Sequence, residues 1–304
     1  MIYLPIAEMP VNVLLVLLVS GGVGFVSGLV GVGGGFIMTP ALLFLGLPPP
    51  VAVATAASQI AATSFSGIMT QTRRKSVDWR MGMLLSIGGI IGSAAGVALF
   101  EQLLAMGQLD LIVSILYVVL LAGVGGLMLA ESLAVMRGRA ARTVTILRRP
   151  ARTIAHTLPL RIRFPRSGLY ISIIPPLLIG FLIGALAAIM GVGGGFILIP
   201  AMIYLLRMPT NVVVGTSLFQ VLIVASLVVI LQSVATQTVD LVLAGLLMLG
   251  GVIGAQMGAR LGAGMKAEHI RAVLALILIV AAMKFLLDVV IPPEEFFVLG
   301  GGQW

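Results

Sequence analysis

The stretch Gly31-Val32-Gly33-Gly34-Gly35-Phe36-Ile37 lies between two apolar runs, and it recurs as Gly191-Val192-Gly193-Gly194-Gly195-Phe196-Ile197. The match extends at the same offset to Pro40 and Pro200. A motif of this length that recurs unchanged at one fixed offset indicates an internal duplication. The period is too long for a solenoid and instead describes two halves of one chain.

The composition predicts an all-α integral membrane protein. Hydrophobic residues make up 60% of the chain and charged residues 9%, and the mean hydropathy is +1.20. A water-soluble domain of this composition would expose far more apolar surface than such domains tolerate. Apolar runs of about 18 residues or more are long enough to cross a bilayer as helices, whereas the alternating pattern of a β-barrel is missing.

The apolar runs divide the chain into two membrane repeats, 1–130 and 169–304, joined by a linker, 131–168. Each repeat has about five membrane segments. The predicted segments are 11–30, 35–47, 51–71, 81–100 and 109–130 in the first half, and 171–190, 195–206, 211–231, 241–259 and 271–291 in the second. The first segment lacks a cationic start and a cleavage site, so we expect it to remain in the mature protein.

An odd number of segments places the two halves in opposite orientations, which predicts an inverted repeat. Because Lys and Arg accumulate in cytoplasmic loops, the positions of the arginines predict that both chain ends are outside and the linker is cytoplasmic. The second segment of each half is short, and it either spans the membrane or forms a re-entrant hairpin with the segment before it. Both alternatives leave every loop on the same side. Short, glycine-interrupted segments in corresponding positions indicate a transporter's binding site.

The linker carries nine arginines between Arg137 and Arg166. We expect it to lie on anionic lipid headgroups, although a basic funnel for anions or a docking site for a soluble partner would have the same composition. This loop supplies most of the net charge of +8. No aromatic platform accompanies it, so nucleic acid is not an expected partner.

The glycine motif differs from nucleotide-binding loops, because neither copy has the lysine and hydroxyl of a P-loop or follows a strand. In a membrane, glycines release the backbone from helical geometry. A helix that restarts at Phe36 or Phe196 directs unpaired N–H groups and a positive dipole end at whatever lies in front of it, which favours an anion. The predicted contacts are Gly33, Gly34, Gly35, Phe36, Gly193, Gly194, Gly195 and Phe196. The alternative is that the glycines only permit close helix packing.

Two further polar pairs repeat between the halves at one fixed offset: Thr55 with Gln59, and Thr216 with Gln220. Each pair is spaced i to i+4 and therefore shares one helical face. Hydroxyl and amide groups on such a face line a cavity for an oxyanion or, alternatively, form hydrogen bonds between helices. The glycine rows Gly88, Gly92, Gly96 and Gly250, Gly254, Gly258 predict helix packing.

The membrane segments show no carboxylate pair, metal-ligand cluster or nucleophile with a nearby base. The sequence therefore predicts neither an enzyme nor a cofactor or metal.

The chain resembles the TauE/SafE sulfite exporter family, also called the sulfonate uptake permease superfamily. The resemblance rests on the G-x-x-G-x-G-G-G-F pattern at Gly28 to Phe36, on the proline four residues later, and on the basic central loop. The second copy has Ala188 in place of the first glycine. Membership implies transport of sulfite or small organosulfur anions such as sulfonates across the bacterial inner membrane, without ATP hydrolysis by this chain.

These observations together predict a secondary transporter in which a small anion binds near the midplane, where the two glycine motifs approach each other. A passive anion channel is one alternative. A non-transporting membrane subunit that recruits a cytoplasmic partner through the arginine-rich loop is another. The sequence does not specify the anion, the coupling ion, the direction of transport or the oligomeric state.

Overall fold

In the described part of the chain the same order of elements occurs twice: a short β-hairpin and then five helices. The computed structural model describes residues 2–31, 35–136, 161–164, 166–262 and 267–290. The first set is β1 (Ile2–Leu4), β2 (Met9–Val11), α1 (Val13–Val30), α2 (Gly35–Phe44), α3 (Pro49–Arg73), α4 (Trp79–Ala105) and α5 (Leu109–Met136). The second is β3 (Arg161–Phe164), β4 (Leu169–Ser172), α6 (Ile174–Met190), α7 (Gly195–Tyr204), α8 (Thr210–Ala235), α9 (Leu241–Gly262) and α10 (Ala267–Val290).

The helices confirm the prediction of an all-α membrane protein. In the described part of the chain, six helices are long and apolar enough to cross a membrane: α1, α3, α4, α5, α8 and α9. Each predicted segment coincides with one helix, and the boundaries differ by a few residues.

The short helices α2 and α7 have ten residues each, which corresponds to about 15 Å of helix. This length is half of the hydrocarbon thickness. Leu42 and Leu47, at the end of α2, share a core cluster with Leu4 of the β1–β2 hairpin. The chain therefore returns after α2 to the end of the bundle at which α1 begins. Both alternatives for α1 and α2, two spans or a re-entrant hairpin, require this return, and the short length of α2 favours the hairpin.

The two β-hairpins are absent from the sequence prediction. Their strands have three or four residues, too few to give a recognisable alternating pattern. The first strand of the second hairpin begins at Arg161, inside the predicted linker 131–168, and α5 extends into the same region as far as Met136. Residues 137–160 of that linker lie outside the described residues.

Helix pairs formed between the two halves hold the bundle together. Helix α1 packs in parallel with α9, and α4 packs in parallel with α6. A Cβ atom on Gly92 would overlap the backbone carbonyl of Phe181, and one on Gly254 would overlap that of Gly21. Such contacts run along both interfaces. The prediction that these glycine rows serve helix packing is confirmed.

Between these pairs, α3 packs against α8, and α5 packs against α10. Each helix of one half has a counterpart in the other half. If every helix is replaced by its counterpart, the α1–α9 pair becomes the α6–α4 pair, whereas α3–α8 and α5–α10 remain the same pairs. The β1–β2 hairpin lies where α1, α3 and α9 begin, and β3–β4 lies where α4, α6 and α8 begin. We call the second of these the arginine end, because Arg73, Arg74, Arg80, Arg163 and Arg260 lie there. The other is the opposite end.

Candidate functional site

The second glycine motif is a tight turn between α6 and α7. Gly191, Gly193 and Gly194 have φ values of 67°, 68° and 71°, in the left-handed region that favours glycine. All residues from 191 to 196 are buried. In the first motif, Gly35 and Phe36 begin α2, whereas the predicted contacts Gly33 and Gly34 lie outside the described residues.

The two motifs meet in the middle of the bundle. The rings of Phe36 and Phe196 have centroids 5.3 Å apart, and a Cβ atom on Gly35 would overlap the carbonyl of Val192. A Cβ atom on Gly193 would lie 2.5 Å from the side chain of Ile60 in α3. The first residues of α2 and α7 are thus adjacent across the pseudo-twofold relation of the halves.

Side chains from the first half fix the backbone of the second turn. The Thr39 hydroxyl donates to the Gly191 carbonyl at 3.1 Å, and the buried Tyr117 hydroxyl donates to the Met190 carbonyl at 2.6 Å. Because both carbonyls at the end of α6 have partners, the turn has a defined position in the core.

Thr55 and Thr216, for which the sequence allows either cavity lining or hydrogen bonds between helices, are fully buried. The Thr55 hydroxyl accepts the Asp240 N–H at 3.2 Å, and the Thr216 hydroxyl accepts the Asp78 N–H at 3.0 Å. These bonds match one of the two roles that the sequence allows, which is hydrogen bonding between helices.

Asp78 and Asp240 are buried polar residues that sequence reasoning missed. Asp240 accepts N–H bonds from Val242 and Leu243 at the start of α9, each at 3.0 Å, and from Ile6 of the first hairpin at 3.2 Å. Asp78 accepts from Met81 at the start of α4 at 3.3 Å and from the backbone and hydroxyl of Ser167 in the second hairpin.

Each of these carboxylates therefore caps a helix and ties a β-hairpin to it. The sequence contains a signal for the pair. Ser76-Val77-Asp78 in the first half corresponds to Thr238-Val239-Asp240 in the second. The offset between them is the one that relates Gly88 of α4 to Gly250 of α9.

Gln59 and Gln220 are the predicted residues with unused hydrogen-bonding groups. Both are at most 1% exposed. The Gln59 amide donates to the Ser20 carbonyl at 3.2 Å, but its Oε1 has no partner among the described residues, and neither Nε2 nor Oε1 of Gln220 has one. A buried polar atom without a partner costs about 1–3 kcal/mol. Such a cost is typical of residues retained for a ligand or a second conformation.

A cavity of about 900 Å³ opens at the arginine end between α1, α3 and α9. Gly31, the first residue of the first glycine motif, is one of the residues that line it. Its walls contain three guanidinium groups and several hydroxyl and amide groups, but no carboxylate among the residues that the structure describes there. These polar residues are Arg73, Arg74, Arg260, Ser27, Thr63, Ser66, Thr70, Gln71 and Gln256.

The corresponding place in the other half is packed. Residues Ala57, Val97, Ala187, Ala188, Val224 and Val228 form an apolar core cluster there. The Gln232 side chain donates to the Ala188 carbonyl at 2.9 Å. Its counterpart Gln71 and the counterpart of Ala188, Gly28, both line the open cavity instead. Among the described residues, the cavity is thus open in the first half and its counterpart in the second half is packed.

Long apolar helices, two short helices after glycine motifs and a polar cavity that opens at one end together define a multi-pass membrane protein with the architecture of a transporter. The chain belongs to the sulfite exporter TauE/SafE family, whose model matches residues 16–285. This confirms the resemblance seen in the sequence. It also makes the protein a membrane transporter and not an enzyme, because the family is one of transporters.

Three relatives bear similar names. A probable membrane transporter protein of Xylella fastidiosa (strain 9a5c) is 30% identical over 280 residues, which cover 90% of this chain and 95% of the relative. The probable membrane transporter proteins YunE and YjnA of Bacillus subtilis (strain 168) are 26% and 25% identical, covering 87% of this chain and 94% and 96% of their own lengths. No solved structure gave a significant match.

Proposed function

We propose that the protein is a secondary transporter that moves sulfite or a small sulfonate-type anion across the bacterial inner membrane. The two halves act as inverted repeats, and the anion binds near the midplane between the two glycine motifs. The chain ends face outward, and the basic linker lies on anionic headgroups at the cytoplasmic side. Family membership supports the substrate class, since the family is described as one of sulfite exporters.

One observation carries the proposal: a cationic cavity, with no carboxylate among its described lining residues, opens at the arginine end and is lined by Gly31 of the first glycine motif. Guanidinium, hydroxyl and amide groups are the donors that bind oxyanions. The Phe36–Phe196 contact supports one shared site, since these are the second residues of the two short helices. In this proposal the anion passes from the cavity to the start of α2, where Gly35 lies against the Val192 carbonyl of the second motif.

The packed cluster on the other side favours a transporter over a passive channel. A channel needs a continuous path, whereas here six apolar residues, including Val224 and Val228, close the second half. A transporter that alternates its access has one side closed at any moment. The same cavity argues against a non-transporting subunit, which requires no polar space inside the bundle.

The test is anion flux in proteoliposomes with Gly194→Leu. Gly194 has a left-handed backbone, and a Cβ atom there would overlap Ile183, so the substitution displaces the second turn. We expect saturable flux of sulfite or a sulfonate by the wild type and loss of most of it in the variant. Intact flux in a folded Gly194→Leu protein would contradict the assignment of the binding site.

Gly245→Leu is the matched control. Gly245 lies in α9, and a Cβ atom there would meet nothing within 4 Å, so flux should remain at the wild-type level. Gel filtration and thermal melting show whether Gly194→Leu remains folded. The concentration dependence of flux separates the alternatives, since a channel would conduct without saturating in the same range.

A further inference from the structure

The cavity at the arginine end contains one continuous polar face of α3. Gln59, Thr63, Ser66, Thr70 and Arg73 are separated by four, three, four and three residues, so they share one side of the helix. The outer four line the cavity. Gln59 follows one turn further inward, where its Oε1 is buried without a partner.

The matching face of α8 is apolar beyond its glutamine. At the offset that relates Thr55 to Thr216, Gln59 corresponds to Gln220. The other four positions correspond to Val224, Leu227, Leu231 and Val234. The two copies of the duplicated helix thus differ chemically on this face. The face of α3 suits a hydrated ion, and the face of α8 suits a dry core. Duplication alone would have given both halves the same face.

Helix α9 adds polar groups to the cavity in the same one-sided way. Arg260 and Gln256 line it, whereas the equivalent positions of α4, in the register that pairs the glycine rows of the two helices, are Ala98 and Ala94. The Gln256 amide donates to the Ser66 hydroxyl at 3.3 Å. This bond uses the oxygen of Ser66 as acceptor, so its proton remains available for an anion.

Among the residues that the structure describes, the charges in the cavity have no neutralising neighbours. Within the described ranges, Arg73 and Arg260 form no ion pair, and no aspartate or glutamate contributes to the cavity wall. A concave surface lined by one sign of charge concentrates counter-ions. Guanidinium groups bind oxyanions through paired N–H donors.

On the basis of the proposed function, we infer that this cavity contains a separate anion-binding site. It takes a free, small oxyanion of the sulfite, sulfate or sulfonate type between Arg73 of α3 and Arg260 of α9, with Ser66 and Gln256 as further donors. The anion binds there first and then moves past Thr63 and Gln59 to the glycine motifs. The site belongs to the arginine end only.

The experiment measures binding of sulfite, sulfate and methanesulfonate by calorimetry. It uses the full chain in phosphatidylcholine nanodiscs, whose lipid carries no net charge. In the variant Arg73→Gln/Arg260→Gln we expect about tenfold weaker binding of whichever anion the wild type binds, because two partly solvated charges are lost. Wild-type affinity should fall with added inert salt, and the variant should lose most of that dependence. Arg73→Lys/Arg260→Lys should recover part of the affinity.

Lys75→Gln/Arg80→Gln is the matched control, since it removes the same charge from exposed side chains at the same end that do not line the cavity. Its affinity should stay within about twofold of the wild type. Equal weakening in the control and in the cavity variant would overturn the inference. Wild-type affinity in the cavity variant would also overturn it.

Two further outcomes separate this inference from the proposed function and from lipid binding. If the wild type transports an anion but its binding is insensitive to Arg73 and Arg260, the site is wrong while the transport function stands. If the wild type carries none of the anions, the proposed function fails as well. If the arginines bind only phosphatidylglycerol added to the nanodiscs, the cavity is a headgroup site and the free-anion site is refuted.

Discussion

At the scale of single residues, the buried side chain of Gln220 is expected to lower the stability of the protein. Its amide is fully buried and has no partner in the described part of the chain. If Gln220 is retained for the anion, Gln220→Leu should stabilise the protein by about 1–3 kcal/mol, because an unpaired polar group is removed. The same change should abolish flux. Thermal melting and proteoliposome flux, measured on one preparation, check both expectations.

Gln232→Leu is the control for this prediction. Gln232 is equally buried and its Oε1 also has no partner in the described part of the chain, but its amide donates to the Ala188 carbonyl. Its loss would leave that carbonyl unpaired and should destabilise the protein. A destabilised Gln220→Leu variant would show that the Gln220 amide has a structural partner, and the ligand role would be withdrawn.

Residue chemistry was only partly predictable from the sequence. The repeat at a fixed offset was enough to select Gln59 and Gln220, and the structure places both in the core. The repeat could not show that Thr55 and Thr216 bond to the backbone of Asp240 and Asp78. Those partners are 185 and 138 residues away in the chain. Contacts at such separations depend on the packing of helices from different halves.

At the scale of elements, each buried aspartate ties a β-hairpin to a helix. Asp240→Ala removes the cap of α9 and the acceptor of the Ile6 N–H. The loss of one cap costs about 1 kcal/mol, and the unpaired hairpin amide adds to it. We expect a destabilisation of about 2 kcal/mol and faster proteolysis of the first hairpin. Thermal melting and limited proteolysis check these outcomes.

Asp110→Ala serves as the comparison, since Asp110 lies exposed in the first turn of α5 and should contribute much less. Equal stability of the Asp240→Ala and Asp110→Ala variants would mean that the first hairpin is held by its apolar contacts with Leu42 and Leu47 alone.

The helices themselves were the most predictable elements, because long apolar runs bounded by charged or glycine-rich stretches fix their position. The β-hairpins were not predicted. Their strands are short, and they are stabilised by a distant carboxylate and by core contacts such as Phe164 with Leu206. Neither of these leaves a periodic pattern in the local sequence.

At the scale of the whole molecule, the two halves share one order of elements but differ in packing. Gln71 and Gly28 line an open cavity, whereas their counterparts Gln232 and Ala188 are hydrogen-bonded to each other. If the halves exchange these two arrangements during transport, the Gln232–Ala188 bond breaks when the opposite end opens. Closing the arginine end would then bring Gln71 to Gly28. The two states of the cycle would thus use the same contact in alternate halves.

This exchange can be tested with single cysteines, because the chain contains none of its own. Thr63→Cys lies in the cavity wall, and Val224→Cys is its counterpart in the packed cluster. Without substrate, we expect a methanethiosulfonate reagent to modify position 63 from the arginine end and to leave position 224 unmodified. During anion turnover, position 224 should become reactive from the opposite end and the rate at position 63 should fall, since one opening closes the other. Simultaneous reactivity at both positions would indicate a continuous channel, and lasting protection of position 224 during measurable flux would exclude this cluster as the second gate.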